Sequence, residues 1–202
     1  MNKPKLNPGD TLVLASHNKG KIDEFKTLLA PFNLNILTSS SLDISDVEET
    51  GKSFKENSIL KVNSIPNNYI TISDDSGLCV TSLNDEPGIY SARFAKKNGG
   101  WNNSMRLIYE DIINRGERNF EAKFFCSLSI RFPNSPVYTY DGEVFGHITW
   151  PPRGKNGFGY DPFFIPLNGE KTFGELEHKK KIKIDHRSVA LNKLIKSHLD
   201  DS

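Results

Sequence analysis

The sequence is poor in cysteine and contains no long apolar run. Cys79 and Cys126 are its two cysteines, and both lie in apolar, strand-like stretches. We interpret them as small buried side chains and expect neither a disulfide nor a metal site from them. No stretch is apolar over the length that a signal peptide or a bilayer span requires. These absences favour a reducing, cytoplasmic location and argue against a membrane partner.

The sequence also lacks an excess of charge of either sign. It has 26 Lys+Arg against 25 Asp+Glu, which gives a formal net charge of +1. Such a chain has no general positive field for gripping a phosphodiester backbone, so nucleic acid is not expected as a partner. Any anion site must come from a local grouping. No linker or repeat divides the 202 residues, and we expect a single domain over residues 1–202.

Neither a Walker loop nor a dinucleotide-binding fingerprint is present, but a lysine-bearing turn follows the first predicted strand. Thr11–Ala15 is apolar throughout and predicts a buried strand, and Ser16–Lys21 follows it. Apolar spacing then predicts a helix ending near Pro31 and a second strand near Leu34–Thr38. Amides and lysines at a helix start are typical of an anion site. A plain surface turn explains this segment alone equally well.

Two adjacent aspartates, Asp74 and Asp75, follow a run that is rich in β-branched and aromatic residues. Tyr69–Ile72 predicts a strand that delivers these aspartates to a loop at its end. Like charges repel at this spacing unless a cation neutralises them. The sequence therefore suggests a cation site, with an ordinary acidic turn as the alternative.

A second acidic pair, Glu48 and Glu49, precedes a predicted helix. Ser53 and Glu56 have the spacing of a capping box, and the helix is expected to run to about Ile65. Lys61 lies within this helix. Alone, a lysine at such a position is usually solvated and carries no function.

The second half of the chain predicts a helix and then strands. Apolar residues at helical spacing indicate an amphipathic helix ending near Gly116. Phe120–Phe132 and the segments on either side of Asp141-Gly142 read as antiparallel strands, with a tight hairpin at that dipeptide. Together with the first half, this pattern indicates a mixed α/β fold.

Aromatic and basic residues near the end of the chain suggest recognition of a nucleobase. Phe158 can stack on a base, and Tyr160 and Asp161 can form hydrogen bonds. His186-Arg187 opens the last predicted helix, where a basic pair works against the helix dipole. A ligand at the pair and a structural offset by Asp185 explain this equally well.

In their order and spacing these segments resemble the inosine triphosphate pyrophosphatase family, and the resemblance spans nearly the whole chain. No single motif is as specific as the ordered set. The segments that carry it are Ser16–Lys21, Glu48–Gly51, Glu56-Asn57 with Lys61, Ser73–Leu78, Pro87–Arg93, Phe158–Pro162 and His186-Arg187.

The resemblance implies an activity and an architecture. The activity is Mg²⁺-dependent hydrolysis of inosine, deoxyinosine and xanthosine triphosphates to the monophosphate and pyrophosphate, which removes these nucleotides from the pool. The architecture is an elongated central mixed sheet with two lobes flanking a nucleotide-binding cleft. A homodimer is implied as well.

The resemblance also implies roles for individual residues. Glu48 and Asp75 would bind Mg²⁺, with Asp74 or Glu49 close behind them, and Asp75 would be the general base. Donors that match the 6-oxo group of the base would be Lys181, His186 and Arg187, because adenine presents an amino group there. The substrate-binding residues are expected to be Ser16, His17, Asn18, Lys19, Gly20, Lys21, Lys61, Ser76, Phe158, Gly159, Tyr160, Asp161, Lys181, His186 and Arg187.

Two departures from the family pattern and two alternative functions stay open at this point. His17 stands where glycine is common, and Asp185 stands where serine is common, which puts affinity in question more than identity. One alternative is a Maf-type pyrophosphatase that prefers pyrimidine or modified nucleotides. The other is a module that binds nucleotides without hydrolysing them.

Overall fold

The computed structural model describes residues 3–199 and has a mixed α/β fold, as predicted. The predicted domain bounds, 1 and 202, lie outside the described residues. Among residues 3–199 the strands are β1 (Thr11–Leu14), β2 (Asn35–Thr38), β3 (Ile70–Val80), β4 (Glu86–Pro87), β5 (Glu121–Arg131), β6 (Val137–Ile148) and β7 (Phe164–Pro166). These seven strands form one sheet in the order β2-β1-β3-β5-β6-β7, with β4 paired to β3.

The helices alternate with these strands along the first half of the chain and close its end. They are α1 (Lys19–Leu29), α2 (Phe54–Asn63), α3 (Ser91–Lys97), α4 (Trp101–Asn114), α5 (His178–Lys181) and α6 (His186–His198). None of the helices within residues 3–199 combines the length and apolarity needed to cross a bilayer.

The chain forms two compact units. The first contains the described parts of Met1–Asp75, Cys126–Gly142 and Arg187–Ser202, and the second contains Ser76–Phe125 and Glu143–His186. In the first unit, one core cluster includes Leu12, Leu14, Phe25, Ile72, Leu128 and Leu191. The core of the second unit is strongly aromatic and includes Phe124, Tyr160, Phe163, Phe164 and Phe173.

The opening β1-α1-β2 segment confirms the prediction from the apolar spacing. β1 pairs in parallel with β2 and with β3, for example Leu12 with Ile36 and with Ile70. Asn18 caps α1, because its side chain accepts a hydrogen bond from the amide of Lys21. The turn that holds the predicted anion ligands thus follows the carboxyl end of a buried parallel strand, where ligand sites are common in such sheets.

The prediction that Asp74 and Asp75 lie in a loop is wrong. β3 runs without interruption from Ile70 to Val80, so both aspartates lie inside a strand, and Asp74 is 1% exposed. Side chains alternate between the faces of a strand. Asp74 therefore shares a face with Ile72, whereas Asp75 shares one with Ser73, whose hydroxyl donates to the carbonyl of Ser58 in α2. Partners on each face make this burial possible, as described below.

The predicted hairpin at Asp141-Gly142 is also wrong, because β6 continues through this dipeptide. The connection from β5 lies earlier, where the amide of Ser135 donates to the carbonyl of Phe132. Asp141 is held in the strand by Ser127, whose hydroxyl donates to its carboxylate at 2.7 Å. Its carbonyl accepts from Lys193 Nζ at 2.6 Å. Contacts from β5 and α6 thus override the turn preference of the dipeptide.

Three helix predictions are confirmed by the structure. Ser53 caps α2 by accepting from the amide of Glu56, while the Glu56 carboxylate accepts from the amide of Lys52, one residue before the capping-box position. α4 buries Met105, Ile108 and Ile112 on one face. The last helix begins at His186 as expected.

Candidate active site

The carboxylate of Asp74 lies among three cations in the first unit. Its Oδ2 atom is 3.0 Å from Lys21 Nζ and 3.1 Å from Arg187 Nη2. Burial alone raises the pKa of this carboxyl group, but Lys21 and then Arg187 and Lys61 outweigh it and hold the pKa well below its usual range. Asp74 is therefore ionised at neutral pH.

Arg187 connects Asp74 to a residue that has no counterpart in the sequence predictions. Its guanidinium donates to Glu24 of α1 as well as to Asp74, and all three side chains are buried. The same guanidinium is a predicted reader of the nucleobase, and that role stays a prediction. The contacts show Arg187 as the charge partner of two buried carboxylates.

Asp75, on the other face of β3, has a different environment. Its Oδ2 atom accepts from Asn57 Nδ2 at 2.9 Å, and its Oδ1 atom is 3.6 Å from Lys61 Nζ. Burial raises the pKa of Asp75, although Lys61 and Lys21 oppose the shift. A carboxyl group with a raised pKa is a stronger base than a solvated one, which suits a general base.

Lys61 lies between two carboxylates. Its Nζ atom is 2.7 Å from Glu49 Oε1, in addition to its contact with Asp75. Burial lowers the pKa of Lys61, but Asp75, Asp74 and Glu49 together raise it above its ordinary value. Lys61, which the sequence alone did not connect to any other site residue, is thus a permanent cation within an acidic cluster.

The carboxylate oxygens of this cluster are ligands of the kind that Mg²⁺ prefers. Residues 3–199 contain no group of three or more His, Cys, Asp and Glu side chains arranged as a metal site. Mg²⁺ does not need one, because it is commonly held by one or two carboxylates together with waters and substrate phosphates. Asp74 Oδ1 is buried and has no hydrogen-bond partner among the described residues. Glu48 is exposed, so its predicted ligand role stays a prediction.

The turn before α1 brings polar groups of the predicted phosphate site together. Asn18 accepts from the amide of Lys21, and its own amide donates to Ser16 Oγ at 3.2 Å. Lys19 and Gly20 form the first turn of the helix. Unsatisfied amides at a helix start favour a phosphate. His17 points elsewhere, and both of its ring nitrogens contact the loop before Glu48.

In the second unit, Asp161 organises the predicted base-binding residues. Its Oδ2 atom accepts from the amide of Phe158 at 2.8 Å and from Lys181 Nζ at 2.6 Å. Lys181 is 2% exposed, and its ammonium lies 4.8 Å from the centre of the Phe158 ring. The loop needs glycine at 157, where φ is +73° and a Cβ atom would lie 2.0 Å from Asp161 Oδ2.

The remaining predicted residues of this unit lie close to aromatic rings. Gly159 packs on Trp101, whose ring meets that of Tyr160 edge-on at 5.0 Å. His186 is buried and stacks on Phe124 at 4.8 Å. Ser76 is partly buried in β3. The structure thus brings Phe158, Asp161 and Lys181 together, and their role in binding a base stays a prediction.

The sequence profile of the Ham1 family matches residues 12–197. The chain belongs to the Ham1 family. It is 39% identical over 194 residues to a dITP/XTP pyrophosphatase of Zymomonas mobilis, covering 95% of this chain and 92% of the relative. It is 39% identical over 188 residues to a dITP/XTP pyrophosphatase of Bacillus licheniformis, covering 91% and 95%.

Solved structures of Ham1 proteins have the same fold. A HAM1 protein from Coxiella burnetii superposes with a TM-score of 0.84 at 32% identity, covering 93% of this chain and 97% of that one. The Ham1 protein of Staphylococcus aureus gives a TM-score of 0.80 at 38% identity, covering 92% and 96%. The family resemblance read from the motifs is therefore confirmed.

Two residues of this Ham1 site were not among the predicted site residues, namely Asn57 and Glu24. Asn57 donates to Asp75 and accepts from the amide of Gly51, so it joins the end of the acidic loop to the candidate base. A signal for Asn57 was available, since it lies one turn before Lys61 on α2. Glu24 follows Lys21 at helical spacing, but nothing local shows that it meets Arg187 from the far end of the chain.

Replacement of Asn57 by alanine is expected to shift the pH dependence of activity. The Asn57 hydrogen bond stabilises the ionised form of Asp75, so its loss raises the pKa of Asp75 further. Activity that needs the carboxylate is lost as pH falls through this pKa. The acid limb of the kcat/KM profile should therefore move to higher pH, by about one unit for a hydrogen bond to a charged group.

Ser53→Ala is the matched control for Asn57→Ala. It loosens the start of the same helix without touching Asp75. An acid limb that stays in place in Asn57→Ala, or moves equally in Ser53→Ala, would contradict this role for Asn57.

Proposed function

We propose that this chain hydrolyses inosine, deoxyinosine and xanthosine triphosphates to the monophosphate and pyrophosphate. The observation that carries the proposal is the cluster of Asp74, Asp75, Lys21 and Lys61, which combines buried acids with cations. Membership of the Ham1 family and relatives named dITP/XTP pyrophosphatase support it. In this proposal the carboxylates bind the metal and activate the water, whereas the cations neutralise the charge of the triphosphate.

The reaction requires that a water oxygen attack the α-phosphorus while the bridge to the β-phosphate breaks. Asp75 is the base that takes the proton from this water, and pyrophosphate carries away the electron pair of the broken bond. Asn57 holds the Asp75 carboxylate in one orientation. Lys61 favours the ionised form of Asp75 and neutralises a phosphate oxygen.

Glu48 and Asp75 are the residues that we propose to hold Mg²⁺. When bound, the ion supplies positive charge for the phosphate oxygens and lowers the pKa of a coordinated water. Glu49, which lies beside Glu48 in the same loop, forms an ion pair with Lys61. Lys21 and the amides at the start of α1, with Ser16 and Asn18, bind the triphosphate.

The second unit supplies the residues that we propose to bind the base. Phe158 stacks on the purine ring, and Lys181 donates to its 6-oxo group. Adenine presents an amino donor at the same position, so that donor would face the Lys181 ammonium, which can only donate, and the two groups could not form a hydrogen bond. A polar mismatch of this kind rejects a base more strongly than a difference in stacking area.

Pyrophosphate release is the experiment that tests the proposed function. Inosine, xanthosine, adenosine and deoxythymidine triphosphates are each supplied with Mg²⁺ and with a chelator, at neutral and alkaline pH. Release from the first two that depends on metal supports the proposal. Comparable release from deoxythymidine triphosphate points to a Maf-type enzyme, and tight binding without release points to a sensing module.

Lys181→Met is expected to weaken the discrimination against adenine. Methionine keeps most of the side-chain volume but cannot donate to a 6-oxo group, so the ratio of kcat/KM for inosine over adenosine triphosphate should fall about 10–100-fold. Lys180→Met is the control, because Lys180 is an exposed neighbour whose ion pair with Glu177 is long, 4.0 Å. An unchanged ratio in Lys181→Met would remove this lysine from base selection.

We also propose that the enzyme is a homodimer in the cytoplasm. Tyr90 and Leu167 are large apolar side chains that are 53% and 67% exposed, and an interface that buried either of them would gain apolar contact area. Light scattering after gel filtration should give the mass of two chains at micromolar concentration. A mass of one chain at every concentration would contradict the dimer.

A further inference from the structure

His17 contacts a single loop through both of its ring nitrogens. Nε2 lies 3.0 Å from the carbonyl oxygen of Ile44, and Nδ1 lies 3.3 Å from Asp46 Oδ1. His17 belongs to the turn between β1 and α1. The loop, residues 43–53, carries Glu48 and Glu49. One side chain thus joins the predicted phosphate turn to the predicted metal-binding loop.

The chemistry of these contacts is directional. A carbonyl oxygen only accepts hydrogen bonds, so Nε2 must donate to Ile44. Nδ1 faces the carboxylate of Asp46, which also only accepts hydrogen bonds. A glycine at this position has no side chain to make either contact.

The loop has little structure of its own. Residues 43–53 contain neither helix nor strand. Near the start of the loop the amide of Ile44 donates to the carbonyl of Ser39 at 3.1 Å, and near its end the amide of Gly51 donates to Asn57 Oδ1 at 2.8 Å. Between these two hydrogen bonds, the side chains of His17 and Lys61 contact the loop. The position of the acidic pair therefore depends on contacts from outside the loop.

The two side-chain ties are adjacent. His17, Asp46 and Lys61 line one small polar cavity of about 10 Å³, which is room for one water at most. Lys61 contacts Glu49 and Asp75 from the other side. Asp46 lies three residues before Glu49, so His17 and Lys61 contact neighbouring parts of one loop.

We propose that His17 is a positioning residue that holds the loop 43–53 in place, so that Glu48 and Glu49 are presented to the metal-bound triphosphate. The inference rests on the proposed function for its catalytic consequence. His17 acts on the substrate through the loop, and an ordered loop lowers the entropy cost of binding.

Hydrogen exchange of the metal-free protein is the first test, because it does not depend on activity. In His17→Gly the amides of residues 44–50 should exchange about three- to tenfold faster, the change expected when weak hydrogen bonds are lost. Asp46→Asn removes one bond and should give an intermediate rate. His17→Gln can still donate to the Ile44 carbonyl and should restore part of the protection. His147→Gln, a change of an exposed histidine in β6, is the control.

The second test concerns Mg²⁺. In His17→Gly the Mg²⁺ concentration that gives half-maximal hydrolysis should rise about three- to tenfold. A residue with only a structural role would lower the melting temperature and leave this Mg²⁺ dependence in place. His17→Gln should restore part of the Mg²⁺ dependence of the unchanged protein.

Three outcomes would contradict the positioning role of His17. Two of them are unchanged hydrogen exchange in the loop and an unchanged Mg²⁺ dependence. The third is a raised KM for the nucleotide without faster exchange, which would make His17 a direct phosphate ligand. A wild-type chain that hydrolyses none of the triphosphates would overturn the proposed function instead. In that case the positioning role of His17 is tested by hydrogen exchange of the loop and by calorimetric binding of Mg²⁺ with a non-hydrolysable inosine triphosphate analogue.

Discussion

Asp75→Asn should abolish hydrolysis while leaving the fold intact, with kcat at least about 10³-fold lower because both the proposed base and a proposed metal ligand are lost. Asparagine has nearly the same shape, and its amide oxygen can still accept from Asn57. Lys61 retains Glu49 as an ion-pair partner. The loss should therefore appear in pyrophosphate release from inosine triphosphate, with an unchanged circular dichroism spectrum and melting temperature.

A surface aspartate provides the control for this substitution. Asp111→Asn removes the same charge from an exposed helical ion pair with Arg115 and should leave the rate unchanged. Full activity in Asp75→Asn would remove Asp75 from the catalytic role. A collapsed melting temperature would show that the loss of rate reports unfolding, and Asp75→Ser would then test the role with a smaller side chain.

Arg187→Met should destabilise the protein by about 3–5 kcal/mol, the usual cost of leaving buried charges without a partner. The guanidinium is bonded to both Glu24 and Asp74, and all three side chains are almost completely buried. Lys21 still faces Asp74 in the variant, but Glu24 loses this cation. Urea unfolding followed by circular dichroism measures the change.

Arg106→Met is the matched control for this prediction. Its ion pair with Glu110 is as short as many buried pairs, 2.6 Å, but both side chains are nearly half exposed, 45% and 46%. Water screens such a pair, so its loss should cost about 0–1 kcal/mol. Glu24→Leu combined with Arg187→Met should recover part of the stability, because it also removes the carboxylate left behind. Equal costs for the two arginines would contradict the buried network.

The local structure of the first half of the chain follows from the sequence. The apolar run of β1 and the helical spacing of α1 are determined by neighbours within a few residues, and both predictions were confirmed. The order of the motifs likewise sufficed to indicate the family, because each motif is a short continuous segment. The sequence also showed the acidic pairs and Lys61 as candidates.

The tertiary structure decided where those candidates lie. Asp and Gly favour turns when only neighbours are considered, yet Asp74, Asp75 and Asp141 lie inside strands. The guanidinium of Arg187 meets the buried carboxylate of Asp74, and Lys193 donates to the backbone carbonyl of Asp141, each from a helix more than 50 residues away along the chain. Local preference can name the residues of this site, but burial and opposite charge brought from distant segments determine which of them meet, because a buried carboxylate is stable only where such a partner exists.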